Sequence, residues 1–283
     1  MAPPVISVAG LRKAYDGVEA VQGIDLEVFA GEVFAFLGPN GAGKTTTVEI
    51  LEGYRKRDGG EVAVLGEDPA RADRKWRERI GIVLQGGKLE PYLTVAESLS
   101  LFAGYYRDPR PVEEVIEAVG LAGKADERAG RLSGGQQRRL DVGMALIGDP
   151  DLLFLDEPTT GFDPSARRQA WEAIARLRDL GKTVFLTTHY MDEAQRLADR
   201  VAVIAAGEVV ARGTPEDLGD RESRPARISY RENGRDVELE TDDPVRALNE
   251  LTGRALAEGA ELEGLEVRRP SLEDVYLELT HSE

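Results

Sequence analysis

Gly38-Pro39-Asn40-Gly41-Ala42-Gly43-Lys44-Thr45 constrains what this chain can fold into more than any other stretch. It fits GxxxxGK[ST], follows the short apolar run EVFAFLG and opens a segment of helical spacing that begins with Thr46. A buried strand that delivers a glycine-rich turn into a helix aims several backbone N–H groups at one spot, where the helix dipole adds positive potential. Phosphate oxygens suit such a spot. Lys44 can reach the β- and γ-phosphates of a nucleotide, and the Thr45 hydroxyl suits Mg²⁺. The plainer reading, a glycine-rich turn that binds nothing, does not explain the Lys-Thr pair in this context.

The rest of the chain supplies a scaffold for that loop. VISVAGLRKAY and VEAVQGIDLEVFAGE read as strands, with turn signals at Asp16-Gly17 and Ala30-Gly31. Helical spacing from about Val95 to Val119 breaks at Asp108-Pro109-Arg110-Pro111, and a further helix runs from Ser133 to about Ile147. LLFLD and TVFLTTH are buried strands, RRQAWEAIARLRDL and MDEAQRLADR helices, and VAVIAAGEVVARG a hairpin. Strands alternating with helices predict an α/β fold: a mostly parallel sheet with helices on its faces and an antiparallel β-layer at one side. Beyond Leu218 the pattern changes. Residues 219–225 read as a polar linker, followed by ARISYRE and DVELE as strands, DPVRALNELTGRALAEG as a helix, LEGLEVRR as a strand and SLEDVYLELT as a closing helix capped by Ser271. The predicted division is therefore a nucleotide-binding domain over 1–220 and a small α+β domain over 221–283.

Leu152-Leu153-Phe154-Leu155-Asp156-Glu157 is an apolar strand ending in two carboxylates. Acids rarely end a buried strand unless something positive lies nearby. Asp156 is placed to hold Mg²⁺ and Glu157 to polarise an attacking water. Alone the pair is weak, because acids at strand ends are often solvated; its weight comes from the glycine loop.

Leu132-Ser133-Gly134-Gly135-Gln136 decides the class. It is a helix N-terminus with glycines and a hydroxyl, a second phosphate-binding edge, although Ser133 would also cap the helix with no ligand present. With this motif the chain resembles the ATP-binding-cassette (ABC) ATPases over about residues 5–218. The resemblance implies a P-loop NTPase cassette with a helical subdomain at about 86–150, of which 86–131 would dock a membrane partner. It implies a homodimer in which ATP and Mg²⁺ lie between the glycine loop of one subunit and Ser133, Gly134, Gly135 and Gln136 of the other. It further implies that Tyr15 stacks on adenine, that Gln85, after the strand IGIVL, contacts Mg²⁺ or water, that Asp163 crosses the dimer interface, and that His189 meets the γ-phosphate and orients Glu157. In Gly161-Phe162-Asp163 the family's usual leucine is Phe162, a departure that bears on local packing. GFDPSARRQ, THYMDEAQRLADRVAVIAAGEVVARGTPEDL and RRPSLEDVYLELT look like the ATPases of daunorubicin-resistance-like, ABC-2 type exporters. That likeness implies transmembrane permease partners, a place at the cytoplasmic face of the membrane, and export of a drug, lipid or polymer. An importer ATPase, a non-transport ABC ATPase and a purely nucleotide-binding subunit stay open as alternatives.

Composition fits these expectations. With 36 basic and 52 acidic residues the net charge is −16, densest past residue 220 where 16 acidic side chains face 9 basic ones; such a chain repels nucleic-acid backbones. There are no cysteines, so disulfides and thiolate metal sites are excluded. The start, MAPPVISVAG, lacks the basic and apolar regions of a signal peptide, and no run approaches the roughly 18 apolar residues that span a bilayer. A membrane role would have to come through partners. Of two histidines, His281 lies in the C-terminal tail, which leaves His189 as the candidate.

Overall fold

The computed structural model describes residues 3–84, 89–218, 225–232, 235–259 and 262–268. Contacts divide the chain into Met1–Arg212 and Gly213–Glu283. In the first unit, β1 (Ile6–Tyr15), β2 (Val18–Val28), β3 (Val33–Leu37), α1 (Lys44–Leu51) and β4 (Gly59–Val64) are followed by α2 (Arg74–Arg77) and β5 (Ile80–Val83). Next come α3 (Val95–Ala103), α4 (Val112–Ala118), α5 (Gly134–Leu146), β6 (Leu152–Asp156), α6 (Pro164–Asp179), β7 (Thr183–Thr188), α7 (Met191–Leu197), β8 (Arg200–Ala205) and β9 (Glu208–Gly213). Strands β5, β6, β7, β3 and β8 lie side by side and parallel, with β9 at the far edge. Strands β2, β1 and β4 form a separate antiparallel sheet.

The continuous apolar runs of β3, β6 and β7 follow from burial on both faces. Phe34, Phe154 and Phe185 are in register across β3, β7 and β6 and point to one face, where the ring centroids of Phe34 and Phe154 each lie 5.6 Å from that of Phe185. They pack with the antiparallel sheet, among Ile6, Ile24 and Val28. The alternate residues Val33, Leu153, Leu155, Val184 and Leu186 turn to the other face and pack with Leu99, Val115, Leu140 and Ile174 of the helices. The sheet is thus the shared wall of two cores, and its parallel strands end together beside the glycine loop.

The predicted helical stretch from Val95 breaks where expected, α3 ending at Ala103 and α4 opening after Pro111. Helix α7 stops earlier than its sequence suggests, at Leu197, because Ala198 is extended (φ −83°, ψ 137°).

The second unit holds α8 (Pro215–Leu218), β10 (Ala226–Glu232), β11 (Arg235–Thr241), α9 (Pro244–Glu258) and β12 (Glu263–Arg268). Its strands form an antiparallel sheet in the order β11-β10-β12, and Ile228, Tyr230 and Leu251 make its small core. The break between units falls a few residues ahead of the compositional one, since α8 belongs to the second unit. Gln85, most of the predicted linker, the closing helix with Ser271, and His281 lie outside the described residues.

Candidate functional site

The glycine loop joins β3 to α1. Gly43, the residue before α1, has φ 100°, and a Cβ there would lie 2.4 Å from the Ala20 carbonyl oxygen, so only glycine fits. No side chain caps this helix; the first of its amides to find a carbonyl is that of Thr47, which donates to Gly43 O at 3.0 Å. The preceding amides are the orphan donors of a helix N-terminus and face the loop. Lys44 is buried, and its Nζ donates to the carbonyls of Gly38 (2.7 Å) and Pro39 (3.0 Å). Burial pushes the Lys44 ammonium's pKa down, with Glu157 and Asp156 acting against it. Thr45 is exposed, while the Thr46 hydroxyl lies 3.5 Å from that of Tyr15. The half-exposed Tyr15 ring has Arg55 Cζ at 5.3 Å and Lys13 Nζ at 5.5 Å.

Glu157 ends β6 in a left-handed conformation, φ 43°, uncommon for a non-glycine residue. Its Oε1 is 3.7 Å from Lys44 Nζ and 3.3 Å from His189 Nδ1, and its Oε2 accepts from the Thr160 hydroxyl at 3.0 Å. Burial pushes this carboxyl's pKa up; Thr160, His189 and Lys44 together outweigh burial and hold it below the ordinary range. It is therefore a carboxylate at neutral pH, able to accept a proton. The buried Thr187 hydroxyl donates to Asp156 Oδ1 (2.5 Å) and accepts from Glu157 N (3.0 Å), so one group orients both acids. Arg138 of α5 is buried and donates to the carbonyls of Leu84, Asp156 (2.8 Å) and Pro158 (3.3 Å). Glu193 is fully buried and accepts from the Thr159 hydroxyl (2.8 Å) and Trp171 Nε1 (3.0 Å), tying α7 to the turn after Glu157.

At the other glycine-rich tip, Ser133 caps α5 in a reciprocal box: Gln136 N donates to Ser133 Oγ (3.3 Å) and Ser133 N donates to Gln136 Oε1 (3.0 Å). A Cβ on Gly134 would meet open space, whereas Gly135 faces Ala166 of α6. Asp163 caps α6 by accepting from Ser165 N (2.8 Å) and Ala166 N (3.0 Å), and these bonds hold its carboxyl's pKa down. Among the described residues, Lys44, Glu157, His189 and Asp156 come together, and Tyr15 stands beside Thr46. Among the described residues, no hydrogen bond or ion pair links the glycine loop to residues 133–136. Gln85 lies outside the described residues.

Sequence reasoning missed Thr187, Arg138, Thr160 and Glu193. The paired Thr187-Thr188 at the end of an otherwise apolar strand was a readable signal. Nothing local marks Arg138, whose partners lie up to 54 residues away.

The donor set fits Mg·ATP. A triphosphate would meet the orphan amides and Lys44, and Mg²⁺ is commonly held by one or two carboxylates with phosphate oxygens and water. Thr45 and Asp156 supply that pattern. No cluster of three acidic or histidine side chains able to hold a metal without the nucleotide occurs among the described residues.

Comparison with known proteins agrees with this geometry. Residues 21–160 match the family described as "ABC transporter", and residues 215–271 match "ABC transporter domain-containing protein-like, C-terminal domain". "Nod factor export ATP-binding protein I" of Rhizobium sp. (strain N33) is 41% identical, covering 100% of this chain and 99% of the relative. "Daunorubicin resistance ATP-binding protein DrrA3" of Streptomyces coeruleorubidus is 39% identical over 99% of this chain and 97% of its own. Among solved structures, the ADP conformation of MJ1267, an ATP-binding cassette of an ABC transporter, has a TM-score of 0.67 at 25% identity, covering 76% of this chain and 93% of that one. A dimeric post-hydrolysis state of the ATP-binding cassette MJ0796, bound to ADP and Pi, has a TM-score of 0.65 at 27% identity, covering 74% and 98%.

Proposed function

Since this chain belongs to the ABC transporter family as one of its ATP-hydrolysing subunits, we propose that two copies close on two nucleotides and drive membrane subunits in export. The names of its relatives, one for Nod factor export and one for daunorubicin resistance, support export as the direction, with a drug, lipid or polymer as cargo in our reading. Among the described residues no helix is long and apolar enough to cross a membrane, which fits attachment at the cytoplasmic face through permease partners. In this reading residues 1–220 bind nucleotide, with a helical subdomain at about 86–150, and 221–283 are an accessory domain. Exposed Leu84, Leu101, Phe102 and Tyr105 gather beside a groove of about 640 Å³ and offer the docking face for the membrane subunit.

One observation carries the proposal. Lys44, Glu157 and His189 converge on the glycine loop, while among the described residues the glycine-rich Ser133 tip makes the bonds of its own cap and none to that loop. We read this exposed tip as the edge that meets nucleotide held by a second copy. In hydrolysis Glu157 takes a proton from water as the water oxygen bonds to the γ-phosphorus. The bond from that phosphorus to the bridging oxygen breaks, and its electron pair leaves with ADP. His189 holds the Glu157 carboxylate and faces the transferred phosphoryl group, Lys44 neutralises its charge, and Tyr15 stacks on adenine. Thr45, Asp156 and Gln85 would hold Mg²⁺, which supplies further charge neutralisation when bound. Asp163 and residues 133–136 form the edge presented to the second copy.

Glu157→Gln tests this. It should keep ATP affinity within about twofold, lower turnover by about 10²–10⁴ and shift the protein to a dimer in Mg·ATP, read by light scattering. Turnover at the wild-type rate would remove Glu157 from the mechanism.

A further inference from the structure

The groove at the proposed docking face has an acidic floor that the ATPase reaction does not use. Glu52 lies at the C-terminal end of α1, only 5% exposed, and its Oε1 has no hydrogen-bond partner among the described residues. It lines the groove with Asp141, between walls that include Ile82, Phe102 and Met144, while the exposed Arg77 stands at the rim. Asp141 is answered by Arg138, 3.9 Å away, whereas Glu52 forms no ion pair among the described residues.

Three effects oppose a charge on Glu52. Burial removes its hydration, the carbonyl end of α1 is the negative pole of a helix dipole, and Asp156 and Glu49 are like charges close enough to act on it. Burial first, then those two acids, raises its pKa to about 8. An apolar residue would fill such a place with none of these costs, and a buried oxygen left unpartnered calls for an explanation. The groove opens to solvent on the face where the exposed apolar side chains gather. A cation entering from outside would answer the charge.

We propose that this groove receives a lysine or arginine side chain, flanked by apolar residues on an amphipathic segment of the membrane subunit, and that Glu52 is its ion-pair partner with Asp141 adding negative potential. The inference rests on the docking face assigned above. It names the partner's chemistry: an apolar surface bearing one cation, so that a purely apolar segment, or one with an acid at that point, is rejected. A buried carboxylate paired with a cation across an interface favours the matched partner mainly by penalising the unmatched one.

The test uses the full chain and synthetic amphipathic peptides of about 14 residues, capped at both ends, with arginine at the centre of the apolar face or citrulline in its place. Binding is followed by fluorescence anisotropy. The arginine peptide should bind the wild type about tenfold more tightly than the citrulline peptide or better, and Glu52→Gln should bring the two within about twofold. Glu52→Leu serves as a second variant, with ATP binding confirming that each variant is folded. Equal binding of both peptides to the wild type would overturn the charge inference and leave the docking face in place. A preference that survives both substitutions would remove Glu52 as the partner. Failure of every peptide to bind would overturn the docking face and this inference together.

Discussion

At the scale of single residues, the hydrolytic centre depends on groups held in one arrangement from several sides. Thr187 shows this best, since its hydroxyl donates to Asp156 and accepts from Glu157 N. Thr187→Val keeps the shape and removes both bonds. It should cost about 10–100-fold in kcat with little change in ATP affinity, measured by phosphate release and nucleotide titration. Gly43 is as constrained on the binding side. Gly43→Ala places a methyl group 2.4 Å from Ala20 O at a positive φ, so nucleotide binding should fall below detection while the protein stays folded, as circular dichroism would report. The residues of the glycine loop, the paired acids and the serine cap were legible in the sequence because each motif is contiguous and its geometry is local. Thr187, Arg138 and Glu52 were not, because their roles arise only when β7 meets β6, α5 meets the ends of β5 and β6, and α1 runs out beneath the groove.

At the scale of elements, helix α5 links the Ser133 tip to the turn that carries the paired acids. Its N-terminus presents Ser133 and Gly134, and one turn further Arg138 fastens the carbonyls of Leu84, Asp156 and Pro158. Burial lowers the pKa of this guanidinium, with Asp141, Asp156 and Glu193 acting against that. Arg138→Ala would leave three carbonyls without their donor, and a loss of about 3 kcal/mol in chemical denaturation is expected, with turnover reduced as the Asp156-Glu157 turn loosens. The buried strands of the sheet were predicted from their apolar runs. Burial on both faces hides the period of a strand, however, so which residue faced which core became clear only from the register of Phe34, Phe154 and Phe185.

At the scale of the whole molecule, the chain divides into two units with separate cores. A chain ending at Leu218 should therefore still fold and bind ATP with affinity within about threefold of the full chain, measured by nucleotide titration. Glu52 ties stability to pH. Its pKa rises from 4.5 unfolded to about 8 folded, so the native state binds more protons between those values and stability falls as pH rises through them. The free protein should be more stable at pH 6 than at pH 8.5, by about 2–3 kcal/mol from this residue, and Glu52→Gln should abolish that part of the difference in urea titrations at the two pH values.

The reciprocal cap at Ser133 has a further meaning for assembly. Its oxygen takes the Gln136 amide hydrogen through a lone pair, so the hydroxyl's own proton is still available to a phosphate oxygen. On the proposed dimer the tip would meet nucleotide with its cap already formed. In the dimer we propose, closure would favour a neighbour that carries nucleotide over one that does not.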